Sequence, residues 1–171
     1  MNTLVEQIFV DILATEMGLP ADQVWIRNQN VKIPPDADKL FVVVGMVDSQ
    51  VFSNTKQAME VDDVYTEIQG LIARENIQID LFSRDNQALM RRAEVLLALN
   101  SFYSVQQQEA NDFKIFRIPT SFINSSSAEG SSEINRFSVV VPTHVWYRKE
   151  AVIQSDEFYD SFSTRVDDEN T

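Results

Sequence analysis

The stretch Ile77-Gln78-Ile79-Asp80-Leu81-Phe82-Ser83-Arg84-Asp85-Asn86, continuing directly into Gln87-Ala88-Leu89-Met90-Arg91-Arg92-Ala93-Glu94-Val95-Leu96-Leu97-Ala98-Leu99-Asn100, decides the fold. Ile77, Ile79 and Leu81 alternate with Gln78 and Asp80, the period of two that gives a strand one buried and one wet face. Leu89, Ala93, Leu96 and Leu97 then recur at helical spacing and predict a helix that buries one apolar stripe. Ser83-Arg84-Asp85 supplies side-chain oxygens able to cap the first free amides of that helix. A strand feeding a capped helix defines how the chain folds and carries no chemistry of its own.

Upstream, Thr3 and Glu6 stand at capping-box spacing, which starts a first helix behind Thr3. Val5, Ile8, Phe9, Ile12 and Leu13 form its apolar stripe, and Gly18 and Pro20 stop it. A short extended piece follows at Val24-Trp25-Ile26, then a turn or stiff linker at Ile33-Pro34-Pro35-Asp36. Lys39 to Val47 predicts a central strand, because Leu40, Phe41, Val42, Val43 and Val44 are apolar on both faces and partly β-branched. The polar segment from Asp48 through Asp63 reads as a long connection. Val64 to Ile72 reads as a strand, with a helix over residues 65–74 as the competing reading, and Ala73-Arg74-Glu75-Asn76 turns the chain back.

Downstream, Phe113 to Ile118 predicts a strand apolar on both faces. In the longer strand from Phe137 to Tyr147, Phe137, Val139, Val141, Thr143, Val145 and Tyr147 share one face. Ser138, Pro142, His144 and Arg148 lie opposite, and Pro142 argues for an edge position or a bulge. Asn124 to Ser132 is a flexible, polar hairpin connection. The expected class is α+β: a single mixed, mainly antiparallel sheet with two principal helices packed on it.

Composition narrows function by exclusion. A chain of 171 residues, 44% hydrophobic with eleven Phe, supports one core. That core is expected in residues 1–149, with 150–171 as an acidic-aromatic extension. The absence of cysteine excludes disulfides, thiolate nucleophiles and Cys-ligated metal, and fits a reducing compartment. The longest apolar run is far shorter than a membrane span, and Met1-Asn2-Thr3-Leu4-Val5-Glu6 lacks the basic cluster of a signal peptide. Net charge is −12, of which residues 149–171 hold −5, seven acids against Lys149 and Arg165. So acidic a surface opposes duplex DNA binding by charge neutralisation.

His144 is the one histidine, so no multi-His metal site exists, and packing or a surface position is its expected role. No Gly-x-Ser-x-Gly turn surrounds Ser121 or Ser138. Asp62-Asp63, Asp156-Glu157 and Asp167 to Glu169 lack the ligand spacing of a calcium loop. No phosphate-binding glycine loop is present, so no cofactor is expected. Arg91 and Arg92 face away from the leucine stripe and should reach water or a partner's carboxylates. Phe158, Tyr159 and Phe162, set among acids, suggest an arm that docks on something.

The order of elements, with the Ile77-to-Asn100 unit and Asn135-Arg136-Phe137-Ser138-Val139-Val140-Val141-Pro142-Thr143-His144-Val145-Trp146-Tyr147, resembles the tail-terminator and neck proteins of long-tailed bacteriophages. The likeness spans Thr3 to Lys149 as patterning and order. It implies a ring-forming α+β subunit, usually six copies to a ring, at the head-proximal end of the tail tube. Such a ring stops tube growth and joins the tail to the head connector, within the virion and assembled in the bacterial cytoplasm. The implied partners are further copies of the chain, tail tube and sheath proteins and head-tail connector proteins, with no membrane. DNA passes the channel unbound, which an acidic wall suits. No catalytic residue is carried over. The chain departs from compact members in its Asp48–Asp63 connection and its 150–171 extension; those two segments and the Asn124–Ser132 loop are the expected contacts, with Arg91, Arg92, Asn124, Ser127, Glu129, Phe158, Tyr159 and Phe162 as the expected interface residues. A head-completion or stopper ring, a small carboxylate enzyme and a generic cytosolic adaptor are the alternatives.

Overall fold

A computed structural model describes residues 4–27, 39–61, 64–129 and 132–153. The elements run α1 (Val5–Met17), β1 (Val24–Ile26), β2 (Phe41–Val61), β3 (Val64–Ser83), α2 (Gln87–Leu99), α3 (Phe102–Ala110), β4 (Phe113–Ile115), β5 (Ile123–Asn124), β6 (Ser127–Glu129) and β7 (Ser132–Ile153). The main sheet has the order β1-β2-β3-β7-β4, and β5 and β6 also pair with β7. Among the described strands only β1 runs parallel to its neighbour, so the sheet is mixed and mainly antiparallel, with helices on one face. The α+β class expected from the sequence is observed, with α3 as a third helix.

The strand faces follow the alternation. Ile77, Ile79 and Leu81 sit beside Val141, Val139 and Phe137 in register, and all six are buried against the helices. In α1, Val5, Ile8, Phe9, Ile12 and Leu13 complete this core. Helix α1 begins at Val5 behind Leu4 with no side-chain cap; Thr3, the expected cap, lies outside the described residues. At its end Gly18 takes φ 62°. The Gly18 and Leu19 amides donate to the carbonyls of Thr15 and Ala14, closing the left-handed helix stop that a glycine makes cheap.

Three expectations are corrected. First, residues 48–61 are strand, not a connection. β2 and β3 form one antiparallel hairpin with Val61 opposite Val64, and β3 runs unbroken through Ala73–Asn76, which removes both the expected turn and the alternative helix. Strands of 20 to 22 residues reach roughly 65 Å at about 3.3 Å per residue, while the helices cover only the half around Val42–Val44, Ile77–Leu81 and Phe137–Val145. The remainder is a three-stranded ribbon in which Met46–Gln50 and Asn54–Ala58 are exposed. Along β2 neither face of the ribbon is buried, so that stretch has no hydrophobic period to read. Register shifts at Met46/Asp48 and Val51/Ser53 leave Val47 and Phe52 as bulged residues.

Second, α2 is rotated from the expected setting. Its buried residues are Ala88, Val95, Ala98 and Leu99, with Leu96 partly buried, whereas Leu89, Met90, Ala93 and Leu97 face outward. The helix is apolar around most of its circumference, so spacing admits two stripes. Polar anchors choose between them. Arg91 donates to the Met17 carbonyl at 2.7 Å, and Arg92 lies over the Phe137 ring at 5.4 Å, drawing that side of the helix inward. The expected capping holds: the Gln87 amide donates to Asp85 Oδ1 and the Ala88 amide to Ser83 Oγ, each at 2.9 Å.

Third, β4 is shorter than expected and alternates, with Phe113 and Ile115 buried and Lys114 and Phe116 exposed. Pro142 marks neither a sheet edge nor a register break against β3. Its carbonyl accepts from the Phe116 amide, so its nitrogen faces the side where the β4 ladder has ended. The missing N–H therefore costs no bond to β3. The hairpin expected around Asn124–Ser132 is present, with β5 and β6 already paired along β7.

Exposure on α2 can be checked by stability. Ile79→Ala should lower the free energy of urea unfolding by about 2–5 kcal/mol, and Leu97→Ala, at 70% exposure, should stay within about 0.5 kcal/mol in the dilute protein.

Candidate functional site

The helix-free face of the sheet gathers the polar and aromatic groups that the core does not use. One row across it, set by register, is Trp25, Val43, Asp80, Ser138 and Ile123. Trp25, Phe41 and Val43 are buried there against Phe82, with the Trp25 and Phe41 rings 5.6 Å apart. Asp80, expected on a wet face, is only 1% exposed.

Asp80 is buried because its partners cover it. Arg27 Nη2 donates to Oδ2 at 2.5 Å and Arg136 Nη2 lies 3.3 Å from the same oxygen. Gln78 Nε2 donates to Oδ1 at 2.8 Å, and the Ser138 hydroxyl donates to Oδ1 as well. Arg136 also stacks 5.0 Å from the Phe82 ring, its apolar stem closing the site. Gly45 makes room for Arg27: a Cβ there would stand 2.8 Å from Arg27 Cβ, so the arginine crosses the sheet only because Gly45 has no side chain.

Burial raises the Asp80 pKa, but the hydrogen bonds from Ser138 and Gln78, the Arg136 charge and the Arg27 bond outweigh it and hold the carboxyl below the usual aspartate range. All of its acceptor sites are engaged, so it has no lone pair with which to take a substrate proton. The cluster is a structural clamp that ties the end of β1, across β2, to β3 and β7.

On the opposite face Glu75 is buried, and its Oε1 accepts from Tyr147 Oη at 2.6 Å while Thr143 Oγ1 donates to its backbone carbonyl at 2.8 Å. Burial, then the bond to Glu75, then the charges of Glu75 and Glu6 push the Tyr147 pKa upward, so the phenol stays a donor.

His144 shares its face with Pro142 and Trp146, as the alternation requires, and sits among rings from elsewhere in the chain. Phe52 lies 5.1 Å from it, Phe116 5.0 Å and Trp146 6.5 Å. Phe52 is there because of the second β2 bulge and Phe116 because the chain leaves β4 beside Pro142. Neither position could be paired with His144 by spacing. Ser138 is committed to Asp80 and lies six residues from His144 along β7, about 20 Å, so the two form no dyad. Among the described residues no group of three or more His, Asp or Glu is placed to hold a metal. Asp62, Asp63 and the acids beyond Ile153 lie outside the described residues.

The residues expected at contacts are dispersed. Arg91 is partly exposed and pairs with Glu94 at 2.6 Å while also donating to the Met17 carbonyl. Arg92 donates to the Leu89 carbonyl. Asn124 is exposed on β5, its Oδ1 accepting from the Ser126 amide and hydroxyl, and Ser127 and Glu129 fall on β6 opposite Ile134 and Ser132. Phe158, Tyr159 and Phe162 lie outside the described residues. Among the described residues no helix is long and apolar enough to cross a membrane. No protein-family model matches the chain, and no curated protein matches it.

The clamp makes a testable demand on stability. Asp80→Asn should cost about 2–3 kcal/mol at neutral pH, a value tempered because water reaches both arginines. The folded pKa lies below the unfolded one, so the stabilisation is complete above about pH 4–5 and is lost as pH falls through the lowered value. Urea unfolding from pH 7 down to 2 should therefore slope more steeply for the wild type than for Asp80→Asn; parallel profiles would remove the clamp.

Proposed function

We propose that the protein is a structural ring subunit at the head-proximal end of a bacteriophage tail tube, ending tube assembly and joining the tail to the head connector. The observation that carries the reading is the outer face of α2. Leu89, Met90, Ala93 and Leu97 are consecutive around that face, Met90 and Leu97 are 77% and 70% exposed, and Phe102 at the start of α3 is 93% exposed. A surface helix that is apolar on its outer as well as its inner side is stable in water only when something covers it.

Two further features support an assembling subunit. The ribbon of β2, β3 and β7 projects past the core, and among the described residues β1 and β4 leave its outer edges unpaired over most of its length. Unpaired strand edges invite another chain. The charge of −12 suits the wall of a DNA conduit, since a negative lumen lets DNA pass without adhering. The role as terminator and the location in the virion come from the resemblance of the strand-helix unit and closing strand to tail-terminator and neck proteins. Those proteins work by contact, and Asp80 is occupied structurally, so no reaction is assigned.

Light scattering on the purified chain, with negative-stain images alone and with tail tubes, should give annular multimers. A monomer under every condition would sink the reading. Leu89→Glu/Leu97→Glu should abolish those multimers while leaving unfolding of the monomer within about 1 kcal/mol of wild type. Tails assembled without the protein should be overlong; tails of normal length that fail to join heads would assign the subunit to head completion instead.

A further inference from the structure

Two cations flank the aromatic group around His144, while Glu109 and Asp112 line the groove on the far side of Lys114 and Trp146. Arg74 and Lys114 stand directly across from His144 on β3 and β4, so all three side chains project from the same face. Both cations are exposed, and neither forms an ion pair among the described residues. Phe52, Phe116 and Trp146 are also exposed, Phe116 to 64%. A strongly acidic protein thus sets two uncommitted cations beside a continuous aromatic surface. Such a surface suits a ligand that is itself anionic and aromatic, because rings pack on rings while carboxylates meet the cations at the rim.

The chain contains a segment of that composition. Residues 154–171 carry six acids against Arg165, with Phe158, Tyr159 and Phe162 among them. We propose that residues 154–171 of one copy dock on the aromatic-cationic patch around His144 of a second copy. The length of the connection selects the second copy over the first. His144 lies nine residues before Ile153 on an extended strand, about 30 Å away, whereas Phe158 and Tyr159 follow Ile153 by five and six residues and reach at most about 17–20 Å, and Phe162, nine residues on, matches the distance only with the chain fully extended and no residue spent on turning back. Reversing the chain direction uses part of that reach. A copy whose ribbon points at the patch has no such limit.

This inference deepens the reading of an assembling subunit and rests on it for the existence of contact between copies. It does not depend on where in a virion the contact occurs.

The absence of native cysteine makes engineered cysteines specific reporters. Full-length Lys114→Cys and Tyr159→Cys chains, mixed and mildly oxidised, should give a covalent dimer that joins the two variants in preference to either homodimer. In the double variant the product should be a ladder of covalent multimers. A fast-migrating, internally cross-linked monomer would overturn the assignment to a second copy. Absence of cross-linking while light scattering still shows multimers would remove the segment from the patch and leave the assembly reading standing; absence of both would end both.

Charge provides an independent arm. Arg74→Glu/Lys114→Glu, at exposed positions and verified as folded by circular dichroism, should weaken assembly at least tenfold in the concentration required. Adding Asp156→Lys/Glu157→Lys to the same chain should restore it. Unchanged assembly after the first pair of substitutions, or no recovery after the second, would overturn the proposal.

Discussion

The constraint on which the rest depends is the unbroken pairing of β3 with β7, from Tyr65 opposite Ile153 to Ser83 opposite Asn135. A ladder with no register break fixes the face of every side chain along its length, since a slip of one residue would turn them all over. It places Ile77, Ile79 and Leu81 with Phe137, Val139 and Val141 under the helices. It also brings Asp80 beside Ser138 and Arg74 beside His144 on the other face. The clamp and the aromatic patch are therefore consequences of the same register that builds the core.

The helices cover less sheet than the ladder makes. α1, α2 and α3 can bury one face of the half that contains Val42, Val44 and the Ile77–Leu81 row, and no element among the described residues covers the rest. Beyond Met46 on β2 the side chains are mostly polar, which keeps the ribbon solvated without a partner. The two bulges in β2 bend and twist this edge, a device that also hinders indiscriminate pairing between edges.

What could be read from the sequence followed from burial. α1, the strand at Ile77, the cap at Ser83–Asp85 and the faces of Phe137–Tyr147 were legible because one side of each meets the core and the period shows it. Residues 48–61 were not, because an exposed ribbon has no apolar alternation and its order comes from hydrogen bonding to β3. α2 was legible as a helix but not in its rotation. Both of its sides are apolar, and the choice between them was made by Arg91 reaching the end of α1, a contact across 74 positions. α3 escaped notice although Ser101, accepting from the Ser104 amide, caps it in the ordinary way. Of the site, the neighbours of His144 on its own strand could be placed, whereas Phe52 and Phe116 arrive through a bulge and a strand end.

The positions of the uncovered surfaces constrain any assembly the chain makes. The outer stripe of α2 lies above the helix layer, and the His144 patch lies below the sheet, so one contact cannot bury both. A contact in which each surface meets a different surface of the next copy is head to tail, and it repeats until a rotation closes it or a filament results. Closure would have to come from the angle between copies. A closed series would leave every copy with both surfaces covered, whereas a twofold pair joined through either surface leaves the other in water. On the proposed reading of an assembling subunit, that difference is why a ring suits these two surfaces better than a simple twofold dimer.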